Sequence, residues 1–307
     1  MKSKMLISVV GPTAIGKTRL AITLANQYDT EIISADSRQF YKELHIGTAV
    51  PSIEELNAAP HHFIQNKSIY DHYSVGDFEK EAMVLLANLF ETHDKVILVG
   101  GSGLFVDAVT KGMDDFPDVP SHFRDDLNKT LEKKGIDVLQ DRLKHLDKDY
   151  YNKVDLENPH RLIRALEICL STGKPYSSFL SKKTIKRPFH TITIGLTADR
   201  EIIYERINQR VDDMIANGLL EEAQKVYPHK ELNALQTVGY RELFNYFDGK
   251  WTLDFAIAEI KKNTRRFAKR QLTWFKKNTD IMWFDIDDDP LKIIKEVDKM
   301  IITLTNE

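Results

Sequence analysis

The chain has 307 residues, 42% of them hydrophobic and 29% charged, which is enough for one large or two modest domains, each with its own core. No apolar run approaches the roughly 20 residues that cross a membrane, and Met1 to Val10 is too short and too soon followed by Gly-Pro for a signal sequence, so we expect a soluble, cytoplasmic protein with no membrane partner. The net charge of -3 argues weakly against a polyanionic partner, although partners meet local patches rather than an average.

The first predicted element is an apolar strand, Met5 to Val10, and the first helix follows from Arg19 to Gln27. Between them lie Gly11, Pro12, Thr13, Ala14, Ile15, Gly16, Lys17 and Thr18, which match the P-loop pattern G-x-x-x-x-G-K-[ST] at every fixed position. Glycines let the backbone wrap an anion, successive amides and the helix N-terminus point at it, and Lys17 adds a positive charge. Thr18 would offer its hydroxyl to Mg²⁺. The motif predicts a phosphate site but does not say which phosphate binds there.

A second strand, Thr30 to Ala35, ends at the polar residues Asp36, Ser37, Arg38 and Gln39. In an open parallel sheet the ligand crevice lies beyond the carboxyl ends of the strands, so Asp36 should project toward the anion at the P-loop. Two interpretations remain for this carboxylate: it caps the next turn, or it acts as a base or metal partner. The pair His61-His62 is predicted to lie in a loop with a structural or substrate-facing role, because adjacent histidines without further ligands do not suit zinc.

After a predicted helix from Asp77 to Glu91, the strand Lys95 to Val99 runs into Gly100, Gly101 and Ser102. Hydrolytic P-loop proteins usually end the corresponding strand with an Asp that holds Mg²⁺, which is missing here, and no Asn-Lys-x-Asp motif is present to read guanine. A GTPase is therefore not expected. The glycines suit a close backbone approach to a bound group, with Ser102 as a hydrogen-bond donor.

Residues 117–186 change in character and are predicted to form an all-helical insertion between two parts of the core, residues 1–116 and 187–307. Its helices are Phe123 to Lys133, Val138 to His145 and His160 to Ser171. The last begins with Asn158 as N-cap and Pro159 at the first position, ends before Gly173, and has Leu162, Leu166, Cys169 and Leu170 on its apolar face. Arg161 and Arg164 share one side of it, as a solvated face or a binding face. The lone Cys169 is typical of a core thiol.

The strand His190 to Thr197 returns the chain to the sheet, and a helix follows from Asp199 with Ile203, Ile207, Val211 and Met214 on its inner stripe. Arg206 and Arg210 lie one turn apart on this helix. The arrangement resembles the lid of small kinases, whose arginines neutralise a departing phosphate, although a surface salt bridge to Asp213 is an alternative for Arg206.

A polar turn, Gln236 to Glu242, leads to a long helix, Thr252 to Lys277, that has no acidic residue after Glu259. Its cations and interleaved aromatics, listed here, favour a nucleic-acid interface over a solvated face: Lys261, Lys262, Arg265, Arg266, Lys269, Arg270, Lys276, Lys277, Phe267, Trp274 and Phe275. An edge strand, Ile281 to Ile286, and a final helix close the chain. The predicted fold is therefore α/β, a P-loop NTPase-like parallel sheet flanked by helices, with the helical insertion described above.

Several blocks together resemble one family, the bacterial tRNA dimethylallyltransferases, also called tRNA isopentenyltransferases. They are G-P-T-A-x-G-K-T at 11–18, I-S-A-D-S-x-Q at 33–39, Y-K-x-x-x-I-G-T-A at 41–49, P-H-H at 60–62, V-G-G-[ST]-G-L at 99–104, R-L-x-R-A-L-E at 161–167, V-G-Y-R-E at 238–242 and T-R-x-x-A-K-R-Q-x-T-W at 264–274. The resemblance spans almost the whole chain in the family's order. Ser102 stands where Thr is commoner, Phe105 where Tyr is usual, and Ile15 where Ser is usual.

The resemblance implies transfer of a dimethylallyl group from dimethylallyl diphosphate to the exocyclic amine of adenosine 37 in the anticodon stem-loop of tRNAs that read codons beginning with U, with Mg²⁺ and release of diphosphate. It assigns the diphosphate to Gly11–Thr18 and Arg210, the general base to Asp36, and Ser102 to the reacting centre. It assigns tRNA contacts to Asp36, Ser37, Arg38, Gln39, Ser102, Arg124, His160, Arg161, Leu162, Ile163, Arg164, Gln236, Thr237, Val238, Gly239, Tyr240 and Arg241. The basic helix adds Arg265, Lys269 and Arg270, and we expect a monomer.

Two other functions fit parts of the sequence. A small-molecule or nucleotide kinase would have the same P-loop and lid helix, and it would phosphorylate an acceptor with ATP. A noncatalytic RNA-binding switch would bind RNA without needing Asp36.

Overall fold

The computed structural model describes residues 3–180 and 185–306. The chain divides into two compact units, a core of Met1–Lys111 with Arg187–Glu307 and an insertion of Gly112–Lys186. The insertion thus begins at residue 112, ahead of the limit at 117 set from the sequence. Each unit has its own hydrophobic core and is described by itself.

The core unit contains one parallel sheet of six strands in the described residues, in the order β3-β2-β4-β1-β5-β6. The strands are β1 Met5–Val10, β2 Ile32–Ser34, β3 His61–His62, β4 Lys95–Gly100, β5 His190–Thr197 and β6 Met282–Asp285. β1 lies at the centre, where Val10 pairs with Gly100 of β4 on one side and with Gly195 of β5 on the other. The ends of these three strands therefore meet at one edge of the sheet, directly before the P-loop.

The helices alternate with these strands, as expected for an α/β chain. They are α1 Lys17–Tyr28, α2 Ile53–Ala58, α3 Val75–Thr92, α4 Gly103–Lys111, α5 Ser121–Lys134, α6 Asp137–Leu146, α7 Lys148–Tyr151, α8 Pro159–Thr172, α9 Arg200–Ala216, α10 Leu219–Val226, α11 Tyr240–Phe247, α12 Leu253–Phe275 and α13 Pro290–Asn306. Within the described residues, no helix is long and apolar enough to span a membrane.

Both faces of the sheet are covered, because successive side chains of a strand point to opposite faces. Ile7 and Val9 of β1 join a cluster with α1 and α13, whereas Leu6 and Val10 join another with α3 and α4. This explains why β1 is a continuous apolar run rather than an alternating one. A third cluster packs α9, α10, α11 and α12 together. It therefore fixes the positions of α9 and α12, the two helices that carry the basic residues.

The insertion contains α5 to α8 around a leucine-rich core that includes Leu127, Leu139, Leu143 and Leu162. The predicted signals of α8 are confirmed: the Asn158 side chain caps the helix by accepting from the Arg161 amide, Pro159 is its first residue, and Gly173 ends it at φ 68°. Cys169 is buried as expected, but Leu170 is 40% exposed, so its assignment to the apolar face is wrong.

The other predicted strands and helices are confirmed with small shifts of their ends, and one prediction needs correction. His61 and His62 form the short edge strand β3 rather than a loop, paired in parallel with Ile32 and Ile33. His62 Nε2 lies 2.5 Å from Glu31 Oε2, and His61 Nδ1 lies 2.8 Å from the Ala59 carbonyl oxygen. These contacts give the pair a structural role at the sheet edge.

Candidate active site at the carboxyl edge of the sheet

The P-loop joins β1 to α1 and holds three residues at positive φ: Gly11 at 147°, Ala14 at 63° and Gly16 at 100°. Such turns direct successive amides into one concavity that suits an anion. Gly11 is required for a second reason, because a Cβ there would lie 2.7 Å from the Leu196 carbonyl oxygen of β5. The predicted phosphate cradle thus has the expected backbone, placed between β1 and the N-terminus of α1.

Lys17 is partly buried beneath this loop, and its Nζ donates to the Pro12 carbonyl oxygen at 2.7 Å. Burial lowers the pKa of Lys17 to about 8, the positive charge of Arg210 adds to this effect, and the carboxylate of Asp36 opposes it. The charges of Lys17, Asp36 and Arg210 therefore interact within one site.

Asp36 follows β2 at the same edge of the sheet and lines the cavity in front of the P-loop. Its Oδ1 also accepts from the Arg38 amide at 3.1 Å, which is the capping interaction considered from the sequence. The two interpretations of Asp36 are compatible, since one carboxylate oxygen holds the turn while the group as a whole faces the cavity.

The Ser102 hydroxyl contacts Ser37, the residue that follows Asp36. Its Oγ accepts from the Ser37 amide at 3.2 Å and lies 3.1 Å from Ser37 Oγ. The preceding glycines give room to protein atoms: a Cβ at Gly100 would lie 2.6 Å from the Ala35 carbonyl oxygen, and one at Gly101 would collide with the amide of Gln271. The Gly-Gly-Ser turn thus joins β4 to the end of β2 and to α12. Gly100 also lines the cavity, so the close approach of a bound group to this turn stays a prediction.

Helix α9 carries Arg206 and Arg210 along the cavity, as the lid arrangement predicts. Arg206 Nε donates to the Ala14 carbonyl oxygen of the P-loop at 2.8 Å. The alternative partner, Asp213, instead accepts from Gln209 on the same helix at 2.9 Å. Burial lowers the pKa of Arg210, while the carboxylates of Asp36 and Glu55 act in the opposite direction.

The cavity bounded by these groups has a volume of about 800 Å³. It is walled by the P-loop, the end of β2, the loop before α2, and helices α9 and α12. The lining residues predicted from the sequence are Thr13, Ala14, Gly16, Lys17, Thr18, Asp36, Arg38, Gln39, Arg210, Val238 and Gly239. One cavity thus collects residues that are far apart in the chain, and its volume suits a small ligand together with a single nucleobase.

Gln271 was quoted in a motif but was given no role by the sequence analysis. Its side chain is buried in α12, where Oε1 accepts from the Thr13 amide and Nε2 donates to the Gly101 carbonyl oxygen, both at 2.9 Å. The sequence offers one weak sign of this role: Gln271 comes directly after the exposed cations Lys269 and Arg270 and therefore lies on a different side of the helix.

The residues of the turn before α11 have three different environments: the cavity, the exposed surface and the interior. Val238 and Gly239 line the cavity, and Gln236 and Arg241 are exposed. The buried side chain of Thr237 and that of Tyr240 do not face outward: the Tyr240 hydroxyl donates to Glu222 at 2.6 Å. Neither side chain is exposed in this structure, and the tRNA contacts expected of Thr237 and Tyr240 stay predictions.

Several cations of the basic helix α12 are bonded to other side chains, which its sequence alone does not indicate. Lys261 pairs with Asp212 of α9 at 2.6 Å, Lys262 pairs with Glu259 at 2.5 Å, and Arg265 donates to Asn208 at 2.6 Å. Both lysines thus have acidic partners, one on α9 and one earlier on α12. The cations that remain exposed are Arg266, Lys269, Arg270, Lys276 and Lys277.

The aromatic residues of α12 also have separate environments. Phe267 lines the cavity and stacks under the Arg38 guanidinium at 4.2 Å. Trp274 is 39% exposed and donates from Nε1 to Asp107, whereas Phe275 is part of the core. Phe275 therefore does not form part of an exposed surface.

In the insertion, the buried carboxylate of Glu167 binds two arginines at once. Arg124 donates to both of its oxygens at 2.7 and 2.8 Å, and Arg164 donates to Oε1 at 2.6 Å. His160 and Arg161 are exposed, whereas Leu162 and Ile163 belong to the core of the insertion. These two side chains hold the helix in place, and the tRNA contacts expected of Leu162 and Ile163 stay predictions.

The described part of the chain contains no group of three or more His, Cys, Asp or Glu side chains able to hold a metal. The Thr18 hydroxyl and the Asp36 carboxylate nevertheless line the same cavity as the P-loop. Mg²⁺ is commonly bound by one or two protein oxygens together with substrate phosphates and water, so this donor set fits Mg²⁺ that arrives with a phosphorylated ligand.

Comparison with known proteins gives consistent matches. The family model described as IPP transferase matches residues 39–278. The tRNA dimethylallyltransferase of Christiangramia forsetii is 61% identical over 98% of this chain and 100% of its own length. The full-length tRNA isopentenylpyrophosphate transferase of Bacillus halodurans has a TM-score of 0.72 and 38% identity over 98% of this chain and 96% of that one. A eukaryotic dimethylallyltransferase acting on tRNA has a TM-score of 0.77 and 28% identity over 93% of this chain and 75% of that one.

Proposed function

Because the chain belongs to the IPP transferase family and is a tRNA dimethylallyltransferase, we propose that its cavity joins dimethylallyl diphosphate to the exocyclic amine of adenosine 37 in tRNA. The tRNAs are those that read codons beginning with U, and diphosphate is released. The protein acts as a monomer in the cytoplasm, where its substrates meet. A single observation carries the assignment of the cavity: the P-loop, Asp36 and Arg210 line one space of about 800 Å³.

The P-loop holds the diphosphate of the donor. Its amides and the N-terminus of α1 are suited to phosphate oxygens of any origin, so the loop alone does not require a nucleotide. Lys17 and Arg210 supply full charges next to it, and Arg206 is already bonded to the loop. Negative charge develops on the diphosphate as it leaves, and cations fixed in place stabilise that charge in the transition state.

The reaction needs few other groups. The exocyclic nitrogen attacks the allylic carbon, a C–N bond forms, and the C–O bond breaks with its electron pair on the diphosphate. Asp36 takes the proton that the nitrogen loses, in or after the transition state. Mg²⁺ bound by Thr18 and the diphosphate would add to the charge that stabilises the leaving group.

The end of β4 supports prenyl transfer over ATP chemistry. A hydrolytic P-loop enzyme needs a carboxylate there to hold its metal and water, and here the strand ends in Gly100 and Gly101. These glycines contact Ala35 and Gln271. A prenyltransferase benefits from this arrangement, because an activated water would consume the donor. The kinase alternative is not favoured, since the similar proteins reported above are named as dimethylallyl or isopentenyl transferases acting on tRNA.

The tRNA is held by exposed cations. Lys269 and Arg270 of α12 contact its backbone, and in the insertion the Arg124 and Arg164 guanidiniums are held in place by Glu167. To reach a cavity, the target base must leave the anticodon stack, at a cost of a few kcal/mol that contacts elsewhere offset. Arg38 and Phe267 line the cavity and offer a stacking surface for the extruded base.

The test is direct transfer in the absence of ATP. Purified protein is mixed with dimethylallyl diphosphate, Mg²⁺ and an anticodon stem-loop that has adenosine at position 37, and the RNA is analysed by mass spectrometry. We expect one dimethylallyl group on that adenosine, and none on a matched stem-loop with guanosine at this position. ATP-dependent phosphorylation of an acceptor, with no prenyl transfer, would contradict the proposal.

A further inference from the structure

Gln271 links three segments of the cavity through one side-chain amide. Its Oε1 accepts from the Thr13 amide of the P-loop, and its Nε2 donates to the Gly101 carbonyl oxygen after β4. Both bonds measure 2.9 Å, and the side chain is buried. It lies in α12 directly after the exposed pair Lys269 and Arg270, so the same helix faces solvent on one side and the reaction centre on the other.

At the P-loop end, Gln271 fixes a single peptide unit from one side while Lys17 fixes it from the other. The peptide between Pro12 and Thr13 has its carbonyl oxygen bonded to Lys17 Nζ at 2.7 Å and its N–H bonded to Gln271. Rotation of this peptide would break both bonds. Since a P-loop binds anions only while its amides, and not its carbonyls, face the ligand, this clamp maintains the binding form of the loop.

Through its Nε2, Gln271 also holds the turn after β4, which contacts the turn that carries Asp36, the proposed general base. Gly101 precedes Ser102, whose hydroxyl accepts from the Ser37 amide, and Ser37 follows Asp36. A side chain at residue 101 would collide with the Gln271 amide, so glycine is needed there to admit the bond. The two hydrogen bonds therefore join the loop that binds the diphosphate to the turn that carries Asp36.

We propose that Gln271 is a positioning residue that holds the diphosphate loop and the Asp36 turn in register. This proposal rests on the function proposed above. The role requires one acceptor and one donor on the same side chain, which a primary amide supplies. Glutamate would accept from Thr13 but could not donate to Gly101, and methionine, of similar length, has no donor and only a weak acceptor.

The variants Gln271→Met and Gln271→Glu test this, with Gln224→Met as the matched control because Gln224 is an exposed glutamine on another helix, α10. For Gln271→Met we expect the KM for dimethylallyl diphosphate to rise about tenfold, or about 1.4 kcal/mol at 25 °C. Gln271→Glu should raise it further, since it adds negative charge near the diphosphate. The tRNA Kd should change less than twofold, because Lys269 and Arg270 stay exposed.

A merely structural role would give a different result. Gln271→Met would then lower the melting temperature and the active fraction, while the donor KM of the remaining active protein stayed at the wild-type value. That outcome would overturn the proposal. The melting-temperature increase caused by Mg²⁺ and diphosphate gives a second readout without catalysis: it should shrink in Gln271→Met and remain unchanged in Gln224→Met.

A double-mutant cycle with Gly101→Ala tests whether residues 101 and 271 act through the same hydrogen bond. The added methyl group should displace the Gln271 amide and raise the donor KM by a similar factor, and the double variant Gly101→Ala with Gln271→Met should be no worse than Gln271→Met alone. Additive effects would contradict a shared bond. If the wild-type protein transfers no dimethylallyl group, the proposed function fails, whereas the diphosphate thermal shift still tests the role of Gln271.

Discussion

The binding of the donor should depend on pH through Lys17. Burial lowers the pKa of this ammonium to about 8 in the structure, well below the ordinary value of 10.5. A diphosphate anion favours the charged form, so binding raises the pKa and takes up a proton wherever Lys17 is neutral beforehand. Affinity is therefore fully present below about pH 8 and is lost as the pH rises through that value.

The magnitude follows from the protonated fraction. With a pKa of about 8, roughly ten in eleven molecules carry a charged Lys17 at pH 7 and roughly one in eleven at pH 9, a tenfold difference worth about 1.4 kcal/mol. The assay is the Kd of dimethylallyl diphosphate by calorimetry between pH 6.5 and 9.5 at constant ionic strength. The donor itself remains ionised in the upper part of this range, because phosphate esters titrate near pH 6.

Three variants separate Lys17 from other titrating groups. Lys17→Arg should bind with an affinity that hardly varies with pH, since a guanidinium stays charged. Arg210→Met should move the midpoint of the loss upward, because Arg210 lowers the pKa of Lys17, and Asp36→Asn should move it downward, because Asp36 raises that pKa. A flat wild-type profile, or an unchanged pH dependence in Lys17→Arg, would refute the reasoning.

Three further predictions concern other parts of the core unit. Asp36→Asn should lower kcat by about 10²- to 10⁴-fold while the tRNA Kd from filter binding stays within about twofold; an active variant would exclude Asp36 as the base. Arg270→Ala should reduce the slope of log K against log salt for tRNA by about 1, whereas Lys299→Ala on α13 should leave it unchanged, and equal effects would argue against a defined interface. Tyr240→Phe removes a hydroxyl bonded to Glu222 and should lower the free energy of unfolding in urea by about 1 to 3 kcal/mol; a neutral change would mean that the bond contributes little.

The sequence predicts well those features that neighbouring residues encode. The P-loop, its strand and its helix lie within one short stretch, and the ends of α8 follow from Asn158, Pro159 and Gly173. The position of Asp36 follows from a general rule, that the carboxyl ends of parallel strands share one edge of the sheet. In each case the physical cause is local or applies to every such sheet.

The features that the sequence does not reveal depend on contacts between distant residues. Gln271 meets Thr13 across 258 positions of the chain, and Lys261 meets Asp212 across 49. A charge run indicates that a helix is basic, but only packing against α9 decides which of its cations are neutralised. Phe275 likewise belongs to an exposed aromatic series by its sequence and to the core by its packing. Composition on one helix cannot distinguish these outcomes.

The cations of the cavity donate to the P-loop itself, which leads to a prediction about the ligand. Lys17 is bonded to the Pro12 carbonyl and Arg206 to the Ala14 carbonyl, two residues farther along the loop. An ammonium has three N–H donors and a guanidinium has five, so both cations can keep these bonds and still donate to a phosphate oxygen through charge-assisted hydrogen bonds. The two phosphoryl groups of a diphosphate present more terminal oxygens and more negative charge to both cations, to Arg210 and to the loop amides than a single phosphate does. Dimethylallyl monophosphate should therefore inhibit transfer at least about tenfold more weakly than a nonreactive diphosphate analogue, since each lost charged hydrogen bond is worth about 1.5 to 3 kcal/mol. Equal inhibition constants for the monophosphate and the diphosphate analogue would mean that the site binds only one phosphoryl group.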